Sequence, residues 1–217
     1  MNQVAENFRT RDYWIVENAQ YAAVSFRLRK LARIVNEMAG DRECSLLDVG
    51  CGPAALRSVL RPNVAYHGID IAIHEPAPYL QEIDIAHDPI DFSGRSFDFV
   101  VAMGLFEYMG TQQDQKFDEV RAIMKNDGKF IMSYINFGHF RRLVWPNYNN
   151  VKPIGEMADH LKKVFHVERY FPVSHHWRQK QPGKRSLQGL QMKVNFNIPI
   201  ITPAMAVEYF FVCSAKK

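Results

Sequence analysis

The chain reads as an α/β protein with a mostly parallel sheet covered by helices on both faces, and three observations lead there. Apolar runs of strand length alternate with amphipathic, helix-like stretches, the order that builds parallel βαβ units. One of those runs, Leu46-Leu47-Asp48-Val49, breaks into Gly50-Cys51-Gly52-Pro53, a sharp strand-to-helix turn. Length and composition agree with a single two-sided core: 217 residues, of which 47% are hydrophobic.

Each element can be justified in chain order. Residues before Arg42 read as a leading helix, with Thr10-Arg11-Asp12-Tyr13 as its start and Ala39-Gly40 as its stop. The first strand follows, then the turn, where Gly50 and Gly52 lack a Cβ and so tolerate positive φ and close ligand approach. Pro53 suits a first helical position, and Ala54 to Leu60 reads as the helix after it. Val64-Ala65-Tyr66-His67-Gly68-Ile69 is a second strand ending on Asp70, about twenty residues beyond Gly50, where an acid meets a ribose in dinucleotide-binding folds. Ile83-Asp84-Ile85 lies in a stretch rich in acids and prolines, which is also the chemistry of a surface turn. Phe97 to Met103 reads as a further strand, followed by Gly104-Leu105-Phe106-Glu107-Tyr108-Met109. An amphipathic helix over Gln112 to Lys125 ends at the turn Asn126-Asp127-Gly128, and Gly128 to Tyr134 is the next strand. The run Ala206 to Cys213 closes the sheet.

The glycine turn, Asp70 and the block from Phe97 to Tyr108 together resemble the class I S-adenosylmethionine (SAM) methyltransferases, over about Leu46 to Arg141. Only two glycines stand in the turn, and Pro53 occupies a place where a pyrophosphate-binding turn would want glycine. Asn136-Phe137-Gly138-His139-Phe140-Arg141 is similar to a segment of the MetW-like, methyltransferase type 11-like small-molecule branch. The resemblance implies a Rossmann-like sheet with an antiparallel closing strand and SAM as cofactor, leaving S-adenosylhomocysteine (SAH) as product. It implies that Asp48 with Gly50, Cys51, Gly52 and Pro53 holds the amino-acid end of SAM, Asp70 with Ile71 the ribose, and Asp84 with Ile85 the adenine. Met103 and Phe106 would line the same pocket. The family's usual Glu-His after the fourth strand is here Glu107-Tyr108, and Met103 replaces a small polar residue.

Transfer of a sulfonium methyl asks the protein to position a nucleophile and to take its proton where it carries one. Glu107, Tyr108, His139, His175 and His176 are the candidates for that base, with His139 first and Tyr108 second. No metal is expected, because the strand exits through Ala102-Met103-Gly104 without an acid ligand. A proline-rich Asn/Asp-Pro-Pro loop, the mark of adenine and glutamine methylation, is absent there.

The expected organisation is one methyltransferase domain over 1–217: a leading helical lid (1–41), a SAM-binding core (42–138), a substrate cover (139–190) and a closing strand region (191–217). The cover is rich in aromatic and basic residues. Phe140, Trp145, Tyr148 and Trp177 would enclose an apolar acceptor, and Arg141, Arg142 and Arg178 would pair with its acidic group. Net charge is only +4, and the basic residues Arg27, Arg29, Lys30 and Arg33 read as the solvated side of a helix, so nucleic acid is not the expected partner. Cys44, Cys51 and Cys213 have no metal spacing and leave an odd thiol, and no run has membrane-helix length or signal-peptide form. A cytoplasmic, metal-independent methyltransferase acting on an O or N atom of a small molecule is the expectation. The alternatives are a SAM-binding protein that does not methylate, and an RNA or protein methyltransferase that uses the basic leading helix.

Overall fold

A computed structural model describes residues 11–18, 21–92, 94–136, 151–174, 206 and 208–216. The chain is a seven-stranded sheet with helices on both faces. Helix α1 spans Arg11–Asn18 and α2 spans Phe26–Ala39. The strands are β1 (Cys44–Val49), β2 (Val64–Asp70), β3 (Leu80–Glu82) and β4 (Phe97–Met103), then β5 (Met124–Ile135), β6 (Phe165–Ser174) and β7 (Glu208–Ala215). Helix α3 (Gln113–Ala122) precedes β5, and α4 (Ile154–Leu161) precedes β6.

The leading helix is broken in two. Ser25 restarts the chain as α2, its hydroxyl accepting from the Leu28 N–H at 3.2 Å, and Gly40 at φ +57° ends it where the sequence suggests. One face of α2, through Leu31 and Val35, packs with Leu46, Val101, Ile131, Phe210 and Val212. On the other side of the sheet, α3 and α4 bring Phe117, Val120, Met157 and Leu161 against Leu47, Val100, Phe130 and Phe211. Alternate residues of the same strands feed the two cores, which is why those strands are apolar throughout.

The strand order is β3-β2-β1-β4-β5-β7-β6. All neighbours from β3 to β5 pair parallel, while β7 runs antiparallel to both β5 and β6. The closing strand is therefore antiparallel but not at the edge. Tyr209 to Cys213 are all buried, so β7 needs a neighbour on each side, and β6 takes the outer position. That corrects the expectation for residues 151–174: they form α4 and the edge strand of the sheet, with Met157 and Leu161 wholly buried, and are not a cover. Residues 139–150 and 175–190 of the expected cover, including Phe140, Arg141, Arg142, Trp145, Tyr148, Trp177 and Arg178, lie outside the described residues.

Two smaller departures have local causes. Helix α3 stops at Ala122, and the segment holding Asn126, Asp127 and Gly128 is an irregularity of β5, where the β4 partner jumps from Met124 to Lys129. After the glycine turn the chain makes only a short 3-10 helix, Ala55–Val59, because Ala54 takes a left-handed φ of 54° and Pro53 stays in the turn ahead of it.

Candidate functional site

The carboxyl ends of β1, β2 and β4 meet at one edge of the sheet, the place where open α/β folds form their ligand crevice. The turn leaves β1 there. Gly50 (φ +75°) and Gly52 (φ +52°) both adopt left-handed conformations, and the Gly50 and Cys51 N–H groups donate to the Ile69 carbonyl at 2.8 and 3.0 Å. A Cβ on Gly50 would come within 3.2 Å of the Leu105 side chain, so the bare backbone keeps the approach between the two loops open.

Asp70 ends β2 and braces the turn. One of its oxygens accepts from the Gly52 N–H at 2.7 Å and the other from Ala72 N–H at 3.1 Å. Asp48, one residue from the end of β1, is buried and accepts from the Tyr66 hydroxyl at 2.9 Å. Burial pushes the Asp48 carboxyl up to about 7, and Asp70 nearby adds to the rise, while Tyr66 and Arg27 oppose it. A buried carboxyl held this way favours a cationic group. Cys51 is buried in the same corner, and burial likewise pushes its thiol up, which keeps it a neutral packing residue.

Ile71 is half-buried just past Asp70, and the Asp70 carbonyl accepts from the Ile83 N–H at 2.9 Å, bringing the Ile83-Asp84-Ile85 segment to the same edge. Asp84 there bonds its own turn, accepting from Ala86 N–H at 3.1 Å and pairing with His87 at 2.8 Å. Ile85 is buried in the core. Met103, at the end of β4, is buried on the face that α2 covers. Phe106 departs from the expected pocket lining: it is wholly buried, stacked on Phe117 at 4.5 Å and edge-on to Phe130 at 5.8 Å, so its ring belongs to the core.

The candidate bases separate. His139, His175 and His176 lie outside the described residues. Tyr108 is half-buried and meets Trp14 of α1 edge-on at 5.7 Å, while Arg11 of the same helix pairs with Glu82 at the end of β3 at 2.7 Å. Helix α1 therefore touches both the β3 end and the loop after β4. Glu107 turns inward: its Oε2 is buried with no hydrogen-bond partner, and burial pushes the carboxyl up to about 8, opposed by a hydrogen bond from its own backbone N–H and by Arg27, with Glu208 adding to the rise.

Three residues at this edge, Arg27, Glu208 and Tyr66, carry no signal in the sequence. Arg27 was expected on a solvated stripe but pairs with Glu208 of β7 at 2.9 Å, and Tyr66 looked like ordinary strand yet holds Asp48. Nothing in the helical stripe singles out Arg27, so only the acid on a distant strand could have revealed it. Among the described residues, no group of three or more His, Cys, Asp and Glu is placed to hold a metal ion, and no helix is long and apolar enough to cross a membrane.

A seven-stranded, mostly parallel sheet with a glycine turn and an acid at consecutive strand ends defines the class I methyltransferase architecture. The methyltransferase-domain family profile matches residues 23–185, and the chain belongs to that family, the class I SAM-dependent methyltransferases. Solved structures share the fold at low identity. A chain from the complex between the Haloferax volcanii Trm112 methyltransferase activator and a methyltransferase aligns at TM-score 0.66 and 15% identity, covering 99% of this chain and 98% of that one. The N-methyltransferase NodS from Bradyrhizobium japonicum WM9, in complex with SAH, aligns at 0.58 and 10% identity, covering 94% and 99%. A SAM-dependent methyltransferase from Clostridium acetobutylicum aligns at 0.59 and 12% identity, covering 94% and 97%. No curated protein matches the chain in sequence.

Proposed function

We propose that this methyltransferase transfers a methyl group to an O or N atom of a small-molecule metabolite, without a metal, in the cytoplasm. The observation that carries the reading is the convergence of Asp48, the open Gly50–Gly52 turn and Asp70 on one strand-end crevice. These residues fit SAM. Asp48, buried and short of a cation, would hold the ammonium of the amino-acid end beside the backbone of Gly50, Cys51, Gly52 and Pro53. Asp70 keeps acceptor capacity for ribose hydroxyls while it braces Gly52, with Ile71 beside it. Asp84 would take the adenine amino group, and Ile85 and Met103 supply apolar wall. When bound, SAM supplies an activated sulfonium methyl.

The chain's own part is to orient the acceptor, exclude water and accept a proton. Helix α1, tied to Glu82 and Tyr108, would cover the crevice as a lid, and Glu107, Tyr108 or His139 would take the proton. The exit of β4 through Ala102-Met103-Gly104 brings no acid ligand, which supports metal-independent transfer. Three free cysteines, all buried, fit a reducing compartment. Against an RNA or protein substrate, the basic stripe of α2 is largely committed: Arg27 to Glu208, and Lys30 to the Pro172 carbonyl and over the Phe171 ring.

Incubation of the full chain with methyl-labelled SAM and a cell extract tests the reading. Label is expected in the dialysable fraction as a product one methyl heavier. Label confined to RNA or protein would overturn the small-molecule assignment.

A further inference from the structure

At the loop after β4, two carboxylates share one guanidinium. Arg27 Nη1 bonds Glu208 Oε1 at 2.9 Å, and that pair is self-balancing. Glu107 is the acid left over. A Cβ built on Gly104 would lie 3.0 Å from Arg27 Nη1 and 3.6 Å from Glu107 Oε1, which places both groups against the same bare glycine. The Glu107 carboxylate accepts from its own backbone N–H, but its Oε2 is buried and accepts nothing, a costly arrangement for a carboxylate oxygen. A second orphan lies below. Ser133 is wholly buried with an unpartnered Oγ, in register with Met103 on one side and Phe210 on the other, two pairs before Ile135 meets Glu208. Adjacent strand positions two apart share a sheet face, so the Ser133 hydroxyl and the Glu208 carboxylate lie on the side that α2 covers.

Such a set lacks one cation with hydrogen-bond donors. We propose that Glu107, held against the Arg27–Glu208 pair, receives the protonated amine of the acceptor and takes its proton, which makes the methylated atom a nitrogen. The inference rests on the methyltransferase reading above and names its substrate class.

The step balances. An ammonium proton passes to the Glu107 carboxylate, the freed nitrogen pair forms the new N–C bond as the methyl C–S bond breaks, and a neutral thioether leaves. Glu107 is suited to this because burial raises it into the neutral range, where it can accept and release a proton. The charged groups that face it are Arg27 from α2 and Glu208 from β7. Arriving next to Glu107, an ammonium favours the ionised acid, the form that can accept a proton.

The test uses the full chain, methyl-labelled SAM and a dialysable metabolite extract, either intact or with its amines converted to tertiary amines by reductive dimethylation. Binding of SAH is measured in parallel by calorimetry. The intact extract is expected to take label and the blocked extract to lose it. Glu107→Gln should cut labelling of the intact extract at least tenfold while SAH affinity stays within about twofold, since one charged hydrogen bond is worth about 1.5–3 kcal/mol. Glu107→Asp should recover part of the rate with a shifted pH profile. Label persisting in the blocked extract, or a Glu107→Gln variant that labels at the wild-type rate, overturns the inference and leaves the methyltransferase reading standing. A tenfold loss of SAH affinity in Glu107→Gln overturns it too, by showing that the cofactor's own ammonium is the cation. Failure of the unmodified chain to bind SAH removes the underlying reading and the inference with it.

Discussion

Asp70 serves two partners at once. Its carboxylate holds the Gly52 and Ala72 N–H groups, and it stands where a ribose would lie. Asp70→Ala should therefore weaken SAH binding at least about tenfold and also lower stability by about 1–3 kcal/mol, from the two N–H groups left without an acceptor. Calorimetry and denaturant unfolding read the two effects separately. Glu107 gives a prediction of the opposite sign. Its folded-state carboxyl is raised from 4.5 to about 8, so over that interval the unfolded chain gives up its proton first and stability falls as pH rises. Asp48 adds to the decline up to about 7. Glu107→Gln should flatten the upper part of this slope and raise the unfolding midpoint above about pH 8 by at least about 2–4 °C, roughly 1 kcal/mol. A scan of Tm against pH for both proteins checks it. The positive φ of Gly50 and Gly52 was legible from the sequence, because a sharp strand-to-helix turn demands residues without a Cβ, and Asp70 from its spacing after them, while Asp48 was marked only by the family resemblance. The Tyr66 and Arg27 contacts were not, since each depends on a partner that only the sheet order brings near.

Among the elements, β1, β2, β4 and β5 were plain in the sequence as apolar runs, and Gly40 marked the end of α2. Strand β6 was hidden. It carries Glu168, Arg169 and Pro172, leaves Tyr170 46% exposed and slips register twice, the composition of a protected edge rather than of a core strand. Phe106 misled for a related reason: a residue following a strand end looks like pocket wall until the helix that covers it, here α3 with Phe117, is placed. Phe117 itself meets Phe106, Phe130 and Phe165, so Phe117→Ala should cost about 3–5 kcal/mol in denaturant unfolding. Gly50→Val should lose both stability and SAH binding, because a β-branched residue resists φ +75° and its Cβ would press on Leu105. A folded variant with unchanged SAH affinity would contradict the role given to the turn.

For the whole molecule, the same topology that buries two apolar cores gathers one group of polar residues at an edge of the sheet. Asp48, Asp70, Glu107, Glu208 and Arg27 all sit at or beside the ends of β1, β2, β4 and β7 on that side. The family was readable from the sequence because its glycine turn and spaced acids are demanded by a nucleoside-sized ligand. The acceptor was not readable, since the groups proposed to receive it come from α2, the loop after β4 and β7, which are far apart in the chain. The claim that joins these scales is that the strand-end crevice is the SAM site, and a calorimetric titration of SAH into the 217-residue chain and into Asp70→Ala tests it most directly. One site per chain is predicted for the unmodified protein, with affinity at least about tenfold weaker in the variant; no binding by the unmodified chain, or equal affinity for both, would contradict it.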